Sequence, residues 1–355
     1  MTPDHLRIAI SPVMTEAQVA RIAAADPRID VLWEADVYAP QRFDGDYQGE
    51  LSWVRTPEQQ ARYEALLDSA NTLFGVPSAA GPSVPSPTAL RRTVEANPSL
   101  MWLHTMEAGG GGFVRTANLR PDDLARLIVT TSAGMHALPL AEFAVYGVLA
   151  GAKKLPKMQD LQRRHVWSPR FLMGHICEMT IVVVGMGSIG RLVAKRFVDM
   201  GATVIGVNRS LRDVPGVEMH LDDDLIEVAT RADAIVNCLP GTPDTDKLIS
   251  ADVLAATPPG VIVVSLGRGT CIDEDAMTAL LAGGHIGFAA LDVFTQEPLA
   301  ADSPLWDMDN VLISPHMITI SARETDRVID LFIENALALL EGRPMRNLLN
   351  KELFY

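Results

Sequence analysis

The sequence predicts an α/β protein with parallel sheets, built as two domains. Short runs rich in Val, Ile and Leu alternate with segments whose apolar residues recur at helical spacing. The runs are apolar without strict polar alternation, which suits strands covered by helices on both faces. A glycine-rich turn, Gly185 to Gly190, joins one such run directly to a helical segment. The length of 355 residues, at ~150 residues per domain, also points to two.

In chain order, the N-terminal third reads as strand 6–10, helix 15–25, strand 28–33, helix 57–70, strand 72–75, helix 87–97 and strand 100–104. Between Glu34 and Thr56 the chain is aromatic and irregular, and is taken as a long surface excursion. After the glycine run at 109–112 and a strand at 127–131, residues 138–155 are apolar on most sides and predict a buried helix, where the chain crosses to the next domain. The second alternation runs through strands at 180–185, 203–207, 232–239, 260–266, 286–294 and 311–315, with helices at 188–200 and 273–282. A last helix, 321–341, is placed to return the chain to the first domain.

Composition narrows the function. The 48% apolar and 21% charged residues are globular values, and the net charge of −14 has the wrong sign for phosphodiester backbones or anionic lipid. No nucleic acid or membrane partner is expected. Cys177, Cys238 and Cys271 lack the spacing of a zinc site or a disulfide framework, so no metal is expected and a cytoplasmic protein fits best. The N-terminus has neither the cationic start nor the apolar core of a signal peptide.

Gly185-Met186-Gly187-Ser188-Ile189-Gly190 follows the run TIVVV and opens a segment with apolar residues at 189, 192, 193, 197 and 200. In that setting the first glycine permits the tight turn, the second admits a pyrophosphate to the backbone, and the third lets helix pack on strand. The helix N-terminus then supplies N–H groups for the anion. At the end of the next strand, where an NAD site carries an acid, this chain has Asn208-Arg209-Ser210. Arg209 can pair with a 2′-phosphate and Ser210 can donate to it, so NADP is favoured, with NAD as the alternative. The other readings of Arg209 are stacking on adenine or simple solvation.

Three later strand ends carry ionisable residues: SLGRG around Arg268, LDVFTQEP around Glu297 and SPHM around His316. Together with VVVGMGSIG, these ordered motifs resemble the D-isomer-specific 2-hydroxyacid dehydrogenase family, glyoxylate/hydroxypyruvate reductases among them, over most of residues 70–350. The resemblance implies a Rossmann-type dinucleotide-binding domain (138–317) inserted in a flavodoxin-like substrate domain (1–137 and 318–355). It implies hydride transfer between NADP(H), or NAD(H), and a small 2-oxo/2-hydroxy carboxylic acid. Arg268 would hold the substrate carboxylate or C2 oxygen, a planar cation being suited to it. His316 would pass a proton to and from the carbonyl oxygen, and Glu297 would fix its tautomer. Asp292 would orient the nicotinamide carboxamide, and Cys238, Leu239 and Pro240 would line the cofactor site. Backbone N–H groups of Ala108, Gly109 and Gly110 would form an anion nest for the carboxylate.

Family likeness further implies a homodimer through the helix matching 139–152. Three departures stand out: four consecutive glycines at 109–112, expected to leave that loop floppy or to open room, Ser265 where Asn is common, and Met317-Ile318-Thr319 where small residues are usual. The alternatives are a corepressor-like dinucleotide sensor and a phosphite- or formate-type dehydrogenase. Glu297 beside the histidine disfavours the formate chemistry, which pairs it with Gln.

Overall fold

The computed structural model describes residues 3–354, and the chain divides into two compact units. One contains the residues up to His136 together with those from Ile320 onward; the other spans Ala137–Thr319. All strand pairings within the two main sheets are parallel.

The first unit holds β1 (Leu6–Ile10), β2 (Ile29–Leu32), β3 (Thr72–Phe74), β4 (Trp102–His104) and β5 (Ile128–Thr130), in the order β2-β1-β3-β4-β5. That is the flavodoxin-like order. Both faces are apolar because successive side chains point opposite ways. Leu6, Ile8 and Ile10 face one core and Ala9 the other. The helix Glu324–Leu340 belongs to this unit: Val328, Ile329 and Phe332 enter the same core as Leu6 and Ile8, with the Phe332 ring 4.5 Å from Phe74 and 4.8 Å from Trp102. The C-terminal segment thus completes a core begun at residue 6.

The 34–56 excursion is tied down from within. Buried Arg55 donates to Val37 O and Ala79 O, both at 2.7 Å, and its guanidinium lies 3.8 Å from the Tyr63 ring centroid. Asp46 accepts from Arg42 and from the N–H groups of Gln48 and Gly49. Burial opposes its charge, but these donors outweigh it and hold its carboxyl down at about 2.

The second unit holds β6 (Thr180–Val184), β7 (Thr203–Val207), β8 (Val217–His220), β9 (Ala234–Asn237), β10 (Val261–Ser265), β11 (Ile286–Leu291) and β12 (Val311–Ile313), in the order β12-β11-β10-β9-β6-β7-β8. This is the Rossmann order extended by one strand, with the topological switch between β6 and β9. Val182 and Val184 face one core, Ile181 and Val183 the other.

Several short elements differ from the sequence reading. The helix expected over 138–155 is Ala137–Ala152, and Lys154 at φ 55° starts a separate helix, Leu155–Arg163. Helices Gly111–Ala117, Pro121–Arg126, Leu225–Ala229 and Ala251–Ala256, and the edge strand β8, have too few residues to show a period. Among the described residues no helix is long and apolar enough to cross a membrane.

Candidate active site

The glycine motif forms the turn from β6 into the helix Ser188–Asp199. Gly185 has φ 96°, a conformation open to glycine. A Cβ on Gly190 would lie 2.0 Å from Gly185 O, so helix and strand meet only because it is absent. At Gly187 a Cβ would meet nothing within 4 Å, which leaves the backbone open to an approaching phosphate. Ser188 and Ile189 begin the helix, and no side chain caps its N-terminus. These features fit a dinucleotide pyrophosphate.

Asn208 accepts from Met186 N at 3.4 Å and donates to Ser210 O at 3.0 Å, linking the turn after β7 to the glycine loop. Arg209 and Ser210 are exposed beside it. Across the switch point, the Cys238-Leu239-Pro240 turn follows β9, and Cys238 C is 3.0 Å from a Cβ placed on Gly185. Burial pushes the Cys238 thiol up to about 12, so it contributes backbone and bulk rather than a thiolate.

Arg268, Glu297 and His316 lie on three turns following β10, β11 and β12. The Glu297 carboxylate is held twice: Oε1 accepts from Phe294 N at 3.0 Å, and Oε2 pairs with His316 Nδ1 at 2.7 Å. Burial works against its charged form, but those two contacts prevail and hold its carboxyl below the usual range, with Arg268 adding to the effect. The His316 side chain is 47% exposed, which leaves its Nε2 edge accessible to a small molecule.

Asp292 reaches this site by a route the sequence did not show. Its Oδ1 accepts from Ser314 Oγ at 2.6 Å and Met317 N at 3.0 Å, clamping both flanks of His316, whose φ is 52°. A non-glycine residue in the left-handed region costs energy and persists where its surroundings hold it. Asp292 therefore places the histidine through Oδ1.

In the first unit, the segment 105–110 follows β4. Gly110 N donates to Glu107 O at 3.3 Å, while the N–H groups of Ala108 and Gly109 have no acceptor among the described residues. The expected nest is thereby reduced to two donors. A Cβ on Gly110 would lie 1.9 Å from Thr105 Oγ1, and one on Gly111 would lie 2.2 Å from Phe354 O, so these two positions are closely packed. Gly111 opens the helix Gly111–Ala117, and Gly112 faces open space.

Behind this loop sit polar groups that the sequence reading gave no role. Buried His104 links Thr130 Oγ1 (2.8 Å) to Ser132 Oγ (3.2 Å), which donates to Thr105 O (2.9 Å); burial pushes its ring down to about 3, so it stays neutral. His136 Nε2 pairs with Glu324 Oε1 at 2.8 Å in a nearly closed environment. Burial pushes the Glu107 carboxyl up to about 7, with His136 opposing and Glu324 reinforcing the shift. The Oε2 atoms of Glu107 and Glu324 are enclosed without protein donors. The only sequence signal for this cluster was acidic and imidazole side chains near apolar runs. Among the described residues no group of three or more His, Cys, Asp or Glu could hold a metal.

Comparisons with known proteins agree with this geometry. Residues 145–317 match the family model described as D-isomer specific 2-hydroxyacid dehydrogenase, NAD binding domain. A D-3-phosphoglycerate dehydrogenase of Mycobacterium tuberculosis is 39% identical over 201 residues, 55% of this chain and 36% of that protein. The chain thus spans about a third of the length of the mycobacterial relatives it matches. A glyoxylate reductase of Thermofilum pendens is 31% identical over 233 residues, 64% of this chain and 69% of that one. Among solved structures, a D-isomer specific 2-hydroxyacid dehydrogenase from Xanthobacter autotrophicus Py2, in complex with NADPH and MES, matches with a TM-score of 0.76 and 25% identity, covering 99% of this chain and 100% of that one. The glycine loop, the strand order and these relatives together establish that the chain belongs to the D-isomer specific 2-hydroxyacid dehydrogenases, oxidoreductases that work with a nicotinamide dinucleotide.

Proposed function

We propose that the protein is an NADPH-preferring reductase of small 2-oxo carboxylic acids, of the size of glyoxylate or hydroxypyruvate, run in reverse with D-2-hydroxy acids. The observation that carries this reading is the Glu297–His316 contact, with the second carboxylate oxygen anchored on Phe294 N–H. Because Nδ1–H is committed to Glu297, the transferable proton sits on Nε2, the edge that a ligand can reach.

Bound NADPH supplies the hydride. Arg268, exposed and permanently charged, binds the substrate carboxylate or the C2 oxygen. His316 Nε2 gives its proton to the carbonyl oxygen during reduction and recovers it during oxidation. Glu297 keeps the ring in that tautomer and offsets its charge. Asp292 accepts from the carboxamide through Oδ2, and the N–H groups of Ala108 and Gly109 suit a carboxylate. Arg209 and Ser210, where an acid would select NAD, support the preference for NADPH, as does the NADPH in the Xanthobacter structure.

Exposed Leu138 and Tyr146 on the helix Ala137–Ala152 support a homodimer through it, and three free cysteines support a reducing cytosol. The test is a panel of 2-oxo acids assayed with NADPH and with NADH. Saturable turnover of two- to four-carbon acids, faster with NADPH, is expected. Absence of turnover with tight dinucleotide binding would instead support a sensor.

A further inference from the structure

Asn237 is a fully buried amide at the end of β9, in a run otherwise made of Ala, Ile and Val. A buried amide is costly unless its polar atoms are paired, so such a residue in a central strand calls for partners. Here the side-chain partners lie at the end of β10, in the turn that carries Arg268 and in the turn after β9. Asn237 Nδ2 donates to Ser265 Oγ at 3.2 Å and to Arg268 O at 3.0 Å, and Oδ1 accepts from Leu239 N at 3.1 Å. Its main-chain oxygen accepts from Leu266 N at 3.0 Å and Gly267 N at 3.1 Å. Ser265 stands directly opposite Asn237 in the β9–β10 ladder.

The Arg268 turn is also wedged on both sides. A Cβ on Gly267 would lie 2.2 Å from Leu239 O, and one on Gly269 would lie 2.0 Å from Phe294 C. Phe294 is the residue whose N–H holds Glu297, so the Arg268 turn packs directly against the anchor of the carboxylate beside His316. Arg268 Nη1 also bonds Gly267 O at 2.8 Å, which orients the guanidinium from the same turn.

We propose that Asn237 is a positioning residue for the reaction: its amide holds the Arg268 turn, and through Gly269 and Phe294 the Glu297 anchor, in the geometry that meets the substrate. It supplies from β9 the amide that Ser265 does not supply from β10. This inference rests on Arg268 as the substrate-binding group, and the test separates the two.

Asn237→Ser, Arg268→Gln and the double exchange Asn237→Ser/Ser265→Asn are compared with the wild type for kcat, KM of a 2-oxo acid, NADPH affinity and Tm. Asn237→Ser is expected to lower kcat/KM about 10- to 100-fold, the usual cost of a misplacement near 1 Å, with NADPH affinity within about twofold. The double exchange returns the amide to the same ladder position from the other strand and is expected to recover most of that loss. In the Arg268→Gln background, Asn237→Ser should add little, because both act on one contact. A lowered Tm with unchanged kcat/KM, or equal losses in both backgrounds, would overturn the positioning role. If Arg268→Gln itself leaves kcat/KM intact, the reading of Arg268 fails instead. Should Asn237→Ser fold too poorly to assay, Ser265→Ala, which removes one acceptor of the amide, is expected to lower kcat/KM about threefold or more, and no change there overturns the proposal.

Discussion

Two histidine–glutamate pairs in this chain have nearly the same geometry and opposite settings. His316 meets Glu297 at 2.7 Å with both side chains a third to a half exposed; His136 meets Glu324 at 2.8 Å with both about nine-tenths buried or more. In the first pair the second carboxylate oxygen takes a backbone N–H, and the imidazole keeps an open edge. In the second, Glu324 Oε2 is enclosed with no donor, and Glu107, another carboxylate, is its neighbour in the field. The two contact distances are alike, and what separates the pairs is their exposure.

Removing each histidine should break the comparison most sharply. His316→Ala should lower kcat about 10²- to 10⁴-fold, the share expected of general acid–base catalysis, with NADPH affinity and Tm nearly unchanged. His136→Ala should do the reverse. Stripping one partner from a buried pair leaves an uncompensated charge and costs ~3–5 kcal/mol, read as a lower urea midpoint, while kcat per folded enzyme changes less than tenfold. If both variants lose activity and stability alike, the distinction by exposure is wrong.

A subtler separation uses Glu107. Burial pushes its carboxyl up to about 7 in the folded chain, against an ordinary value of 4.5. Between those values the folded state holds the extra proton, so this group's contribution to stability is full below about pH 4.5 and declines as pH rises to about 7. Glu107→Gln removes the decline, and the variant should gain on the wild type by ~2–3 kcal/mol between pH 5 and pH 8. His104 works in the opposite sense: with its ring held down at about 3, its contribution is lost as pH falls below ~6.5. Urea midpoints across pH 4–8 for both proteins check this, and parallel curves would mean that Glu107 holds its proton no more tightly in the folded than in the unfolded state.

The smallest effect concerns the cofactor. Arg209→Ala should reduce the ratio of kcat/KM for NADPH over NADH by about 10- to 150-fold, the worth of one charge-assisted contact of ~1.5–3 kcal/mol. An unchanged ratio would move the discrimination to other residues.

What the linear sequence determined is local or strongly patterned. The Val- and Ile-rich runs specified β6, β7 and β10 because strands covered on both faces are filled mainly by apolar side chains. Gly185, Gly187 and Gly190 announced a phosphate turn because each glycine answers a separate steric demand within six residues. Arg268, Glu297 and His316 stood out because each follows a strand end, where sheets of this kind carry ligand sites, and the fold sets Glu297 against His316. What only the tertiary structure decided depends on partners far apart in the chain. Asn237 carries no signal of its own within the strand expected at 232–239, because its partners, Ser265 and the Arg268 carbonyl, lie about thirty residues on. His136 and Glu324, 188 positions apart, gave no pairing signal, and the close packing at Gly110 and Gly111 is made by Thr105 and Phe354. Steric and periodic rules act over a few residues and can be read along the chain. The pairing of buried polar atoms is set by which strands and helices the hydrophobic cores bring side by side, and it exists only once they have packed.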